Sequence, residues 1–230
     1  MKKLLILTIT LLLAMVNLEA QDNSGHLKKP KGKTYISVEL GRSYFEDQVS
    51  DPGEKFVAGK FTTPTFGVLV EHELSPRWSI ETGITLRRFR TSLSSDCFVQ
   101  NIETSIFQVP IRFNYTLWEK GKFQLKAFAG LNTSFQDVGN SGSLSSRDFN
   151  YTFQSDGPAV LIAPELGLKL DYHVSKRLKV GVFASYVLSN RNLDRTVVNY
   201  TLENNSPIQA VSSSQGSYFQ AGFRVSYLLK

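Results

Sequence analysis

The chain has one cysteine and three histidines in 230 residues, and each scarcity removes a class of chemistry. Cys97 stands alone, so it closes no internal disulfide; no base partner for a catalytic thiol can be identified, and it reads as incidental. His26, His72 and His173 form no His/Cys cluster at ligand spacing, which disfavours a transition-metal site. No glycine-rich loop leads into a helix as a phosphate cradle requires, and no basic stretch interleaved with aromatics offers a nucleic-acid platform. Beyond residue 20 no apolar run reaches the roughly 20 residues of a membrane-spanning helix, and the 3.6-residue period never persists. No catalytic, cofactor or metal residue is therefore assigned, and no nucleic-acid partner is expected.

What is present begins at the N-terminus. Lys2 and Lys3 precede the almost purely apolar stretch from Leu4 to Val16, and Leu18-Glu19-Ala20 ends on a small residue. This is the layout of a secretory signal peptide over residues 1–20, with the cut expected after Ala20. The apolar run is too short for a membrane anchor, and no cysteine follows the cut to carry a lipid. Losing Lys2, Lys3 and Glu19 lowers the formal net charge of +6 by one. Lys28, Lys29, Lys31 and Lys33 cluster in the polar segment 21–33, which reads as a flexible basic leader. The remainder is close to neutral, so the basic excess is a solubilising tail and not a nucleic-acid surface.

From residue 34 onward the recurring pattern is alternation with a period of two, rich in aromatic and β-branched residues. Eight segments show it: Tyr35 to Phe45, Thr65 to Leu74, Trp78 to Phe89, Ser105 to Leu117, Phe123 to Ser134, Ala159 to His173, Leu178 to Leu188 and Ser217 to Leu229. Three connections are tight: Ser75-Pro76-Arg77, Trp118 to Lys122 and Val174 to Arg177. Four are long and polar: Glu46 to Pro64, Arg90 to Thr104, Gln136 to Pro158 and Ser189 to Gly216. Long and short alternate strictly, as short periplasmic turns and long extracellular loops do in outer-membrane barrels. The fold expected for residues 34–230 is all-β: an eight-stranded antiparallel up-and-down transmembrane β-barrel.

Aromatics support that orientation. Trp78, Tyr115, Phe123, Tyr172 and Tyr227 fall near the short-turn rim, and Tyr44, Phe66, Phe107, Tyr186 and Phe219 near the other. All belong to the apolar phase, as the interfacial girdles of a membrane barrel do. The opposite phase holds Glu39, Glu71, Glu73, Glu81, Glu165 and Asp171 against Arg87, Arg112, Lys126, Lys169, Lys179 and Arg224. Such a balanced set predicts a plugged lumen cross-linked by ion pairs, because an unpaired buried charge is costly. A soluble barrel of lipocalin type would invert the phases; the two girdles and the alternating connections argue against it. Pro110, inside a strand, predicts a bulge or bend for want of an amide donor.

The run Phe107-Gln108-Val109-Pro110-Ile111-Arg112-Phe113-Asn114-Tyr115 resembles the central strand of the PorT-like outer-membrane barrels, broadly those of OmpA/OmpX size. Ala127-Phe128-Ala129-Gly130-Leu131, Glu165-Leu166-Gly167-Leu168 and Gly222-Phe223-Arg224-Val225-Ser226-Tyr227 are similar too. The likeness covers roughly Tyr35 to Lys230, and its motifs mark a fold more than an activity. It implies insertion by the outer-membrane barrel assembly machinery. The chain ends Leu228-Leu229-Lys230 where such barrels usually finish on an aromatic, with Tyr227 nearby to serve.

Together these features lead to the expectation of a non-enzymatic integral protein in the outer membrane of a Gram-negative bacterium. Its rigid barrel would display long extracellular loops for envelope integrity or surface interaction, with membrane lipid and envelope or secretion proteins as partners. The alternative implied by the resemblance is a component of a secretion or assembly machine, docking through Lys28 to Lys33. A small channel, or a lipid-modifying enzyme using Asp171, His173 and Ser185, ranks lower. The loops Asn140 to Ser146 and Asn204 to Ser214 could bind calcium or sugars but read more simply as solvated.

Overall fold

The computed structural model describes residues 32–51, 60–95, 98–136, 141–146, 149–156, 159–201 and 208–229. The signal peptide, all but the end of the leader, and Cys97 lie outside the described residues. Twelve strands occur in this order: β1 (Thr34–Ser50), β2 (Lys60–Glu73), β3 (Trp78–Ser95), β4 (Phe98–Lys120), β5 (Phe123–Gln136), β6 (Ser141–Ser146), β7 (Phe149–Asp156), β8 (Val160–His173), β9 (Leu178–Val187), β10 (Asn192–Thr201), β11 (Ile208–Gln215) and β12 (Tyr218–Leu228). No helix occurs among the described residues.

Eight of these strands close a barrel in the order β12-β9-β8-β5-β4-β3-β2-β1, with β1 paired back onto β12. Each matches one of the eight alternating segments, and every pairing is antiparallel. Closure leaves no lipid-facing edge with unpaired backbone groups, the condition for a sheet in hydrocarbon.

Short turns join the strands at one end. In the first, the Leu74 amide donates to the Trp78 carbonyl at 2.9 Å, and the Ser75 hydroxyl accepts from the Trp78 amide at 3.2 Å. The third repeats that chemistry: the Val174 amide donates to the Leu178 carbonyl at 3.0 Å, and the Ser175 hydroxyl accepts from the Leu178 amide at 3.1 Å. The second is tighter than the sequence reading gave. Strands run to Lys120 and resume at Phe123, and Gly121 takes φ +62°, a left-handed conformation that favours glycine.

The other end differs more. The four long polar connections are built largely of strand. β1 continues to Ser50, β3 reaches Ser95 and β4 begins at Phe98, while β6–β7 and β10–β11 are added hairpins. These hairpins pair in the order β11-β10-β7-β6 onto the far end of β1, through Asp47↔Ser214 to Ser50↔Val211. Val198, Ala210 and Ser212 are buried there. The reason is local: these stretches carry Thr, Val, Phe and Tyr, which favour strands, among Ser and Asn, which do not, and polar residues on both faces give no clean alternation to read.

Pro110 also departs from expectation. Its pairing to Asn132 on β5 runs through without a shift, and on the β3 side the ladder skips only the pairs between Thr82↔Ile111 and Thr85↔Gln108. Thr82 Oγ1 donates to the Pro110 carbonyl at 2.9 Å across that gap. The bulge in this strand lies between Thr116 and Trp118, near the turn.

Burial alternates along every barrel strand, and the buried side is the charged one. Ser37, Glu39, Glu81, Arg112, Lys169 and Arg224 are at most 2% exposed, while Leu40, Phe113, Leu168 and Phe223 are 50–70% exposed. A water-soluble protein buries the opposite set.

Candidate functional site: the ion-paired lumen

The polar phase of all eight barrel strands converges on a lumen filled by side chains, as expected for a barrel of this size. Arg112 stands at its centre. Its guanidinium grips Glu165 with two parallel bonds (Nε to Oε2 3.0 Å, NH2 to Oε1 2.9 Å) and also reaches Glu81 at 3.0 Å and Glu39 at 3.2 Å. Arg224, from the opposite wall, reaches Glu81 at 3.1 Å, Glu71 at 3.4 Å, Asp171 at 3.6 Å and Glu39 at 3.7 Å. Lys169 donates to Glu81 and to Asn114 Oδ1, and Lys126 donates to Glu71, which also accepts from the Ser79 hydroxyl. Glu81 alone therefore answers three cations.

Aromatic rings line the network. Arg112 lies 5.0 Å and Lys169 4.7 Å from the Phe128 ring, and Lys179 lies 3.8 Å from the ring of Tyr35. Phe128 fits because Gly167 faces it: a Cβ at Gly167 would meet the ring directly. Towards the hairpin end the lumen turns apolar, with Phe45, Ile106, Leu161, Ala163, Val187 and Tyr218 packed as one cluster. Arg87 lies beside that layer, its guanidinium carbon 3.9 Å from the Tyr218 ring centre and 4.6 Å from that of Phe45.

The lumen charge is not the even balance read from sequence. Glu73 sits half-exposed at the turn-end rim, so among the described residues the buried set is Glu39, Glu71, Glu81, Glu165 and Asp171 against Arg87, Arg112, Lys126, Lys169, Lys179 and Arg224. Among the described residues, Nε and both terminal nitrogens of Arg87 make no hydrogen bond. Two ring contacts of about 2 kcal/mol each when desolvated offset part of the several kcal/mol that burying an ion costs, and they supply no hydrogen-bond acceptor to its N–H groups.

The possible hydrolytic set does not assemble. In the β8–β9 register His173 is opposite Lys179 and Ser185 is opposite Gly167. Ser185 therefore lies six residues further along the strand, about 20 Å from His173. Asp171 faces Arg224 instead. Among the described residues no group of three His, Cys, Asp or Glu could hold a metal ion. Sequence reasoning overlooked the lumen's own aromatics: Tyr35, Phe45, Phe128, Phe183 and Tyr218 are all buried. Their parity was the available signal, since each falls in step with the charged phase.

On the outside, Ile36, Val38, Leu40, Phe66, Val68, Leu86, Ile111 and their counterparts on the other strands form an exposed apolar band. Aromatic pairs bound it at both ends: Trp78–Tyr115 at 4.8 Å and Phe123–Tyr172 at 5.0 Å by the turns, Tyr44–Phe219 at 5.9 Å and Phe107–Phe135 at 6.1 Å by the hairpins. Charged inside, apolar outside and girdled twice, the chain has the architecture of a membrane β-barrel.

No family model matches the chain, and no curated protein does. Solved structures share its fold. It is similar to the outer membrane protein OprG of Pseudomonas aeruginosa, at 11% identity over 88% of this chain and 99% of that one, with a TM-score of 0.53. It is equally similar to the outer membrane protein AlkL in DMPC bilayers, at 14% identity over 90% and 97% of the two chains, TM-score 0.53. The fold is thus that of the small outer-membrane β-barrels.

Proposed function

We propose that the chain is an integral protein of a Gram-negative outer membrane. On this reading its barrel is a rigid, non-conducting and non-enzymatic scaffold, displaying strand-built hairpins on the cell surface for envelope integrity or surface interaction. The observation that carries this reading is the inversion of burial. An exterior of exposed Ile, Val, Leu and Phe around a lumen of buried charged and polar side chains suits hydrocarbon and is unsuited to water. The plugged lumen argues against an ion path, and the separation of His173 from Ser185 argues against hydrolysis. Membranes of the producing cell test the integral assignment: alkaline carbonate should leave the mature chain in the pellet, and release into the supernatant would refute it. The folded protein should also run faster unboiled than boiled on a detergent gel.

A second reading, a PorT-like part of a secretion or assembly machine, is supported by the resemblance of Phe107 to Tyr115 and by the basic cluster Lys28 to Lys33. Under it, deleting residues 21–33 downstream of the signal peptide would alter secreted proteins or cross-linked partners while leaving the barrel in the membrane. An unchanged secretome and partner set would leave the scaffold reading alone.

A further inference from the structure

Arg87 is a buried cation that the network does not absorb. It is 2% exposed, and among the described residues the other five buried lumen cations equal the five buried carboxylates in number. Its neighbours on the β2 side carry hydroxyls. Thr65 on β2 is its direct cross-strand partner, and Thr63 two residues along on the same face is the direct partner of Ser43 on β1. The hydroxyl oxygens of Ser43, Thr63 and Thr65 are buried and, like the Arg87 nitrogens, bond to no group among the described residues. The aromatic contacts with Phe45 and Tyr218 engage the guanidinium through ring faces, and none of its three nitrogens meets the geometry of a hydrogen bond among the described residues. A buried cation in excess among the described residues and three unbonded hydroxyls, beside an apolar layer, are the constellation that an acceptor of single negative charge would satisfy.

We propose that Arg87, with the hydroxyls of Ser43, Thr63 and Thr65, binds one small monovalent anion of halide size inside the barrel. The anion balances the Arg87 charge and completes the hydrogen bonding of β1, β2 and β3 at the level where the ionic network gives way to the apolar cluster. The apolar cluster bounds the site on the hairpin side: Phe45 and Tyr218 lie against the Arg87 guanidinium, and Ile106 is the cross-strand partner of Arg87 on β4. The inference stands apart from the choice between scaffold and secretion roles, since it concerns how the barrel is held together.

The mature chain folded in detergent micelles provides the test. Thermal unfolding is followed by circular dichroism at constant ionic strength in sodium gluconate, chloride and bromide. The wild type is expected to melt about 3 °C higher in either halide than in gluconate, because a ligand bound only by the native state stabilises it. Arg87→Met should melt at one temperature in all three salts. Thr65→Val, which keeps the cation and removes one donor, should show a reduced halide response, and it stands in if Arg87→Met does not fold. Crystals grown in bromide should give an anomalous peak within hydrogen-bond reach of the Arg87 guanidinium. Overturning results are a wild-type melting point indifferent to the anion, a halide response in Arg87→Met equal to that of the wild type, or bromide found at exposed lysines alone.

Discussion

At the level of single residues, the lumen behaves as a shared network and not as a set of separate ion pairs. Glu81 accepts from Arg112, Lys169 and Arg224 and is itself fully buried. Glu81→Ala should therefore cost about 3–5 kcal/mol, the range for leaving a buried charge without its partner. Lys169→Met should cost less, because Glu81 keeps both arginines and the methionine chain still packs against Phe128. Urea unfolding of the refolded protein in micelles measures both, and equal losses would mean that the pairs act independently. The parity of each charged residue was readable from the sequence, and so was its inward direction. Which carboxylate meets which cation was not, because that depends on strand stagger around the barrel, and Arg112 and Glu165 are 53 positions apart. The same dependence hid Glu73, which shares the inward parity yet ends up at the rim. It also defeated the grouping of Asp171, His173 and Ser185, whose common face implied a proximity that the register denies.

At the level of elements, the barrel strands carry their own instructions and the hairpins borrow theirs. Each barrel strand alternates because one face meets lipid and the other the lumen, so a single period identifies it. β6, β7, β10 and β11 have no such two-sided environment, and their sequences, such as Ser141–Ser146, read as loop. Their order comes from pairing onto the free length of β1 beyond Phe45. This hierarchy predicts the effect of truncation. Replacing residues 192–215 by a short Gly/Ser turn removes β10 and β11 and leaves the closure of β1 on β12 intact, since that pairing runs from Tyr35↔Leu228 to Tyr44↔Phe219. The truncated chain should keep its heat-modifiable gel shift and lose less than a quarter of its strand signal by circular dichroism. Its remaining hairpin β6–β7 should become sensitive to protease, because β10 is the strand that β7 pairs with in the extension. Loss of the gel shift would show instead that the hairpins hold the barrel together.

At the level of the whole molecule, the question is which solvent the exterior was made for, and a single substitution on the band can answer it. Leu168 projects outward from the middle of β8, 50% exposed, with Ala127 and Ala184 as its cross-strand partners. Small neighbours on both sides give an arginine at this position no carboxylate to meet and a long way to reach a headgroup. In a bilayer, Leu168→Arg should destabilise by about 2–4 kcal/mol, the cost of a cation on the lipid face near the midplane. Leu229→Arg, exposed just beyond the end of β12 and close to Tyr227 of the turn-end girdle, should cost about 0–1 kcal/mol by the same depth dependence. The two variants differ little in burial within the protein itself, so only the surrounding medium can separate them. Equilibrium unfolding in phospholipid vesicles measures the difference. A barrel whose outside faces water would tolerate both substitutions alike, since an exposed leucine replaced by arginine in water loses little and gains hydration.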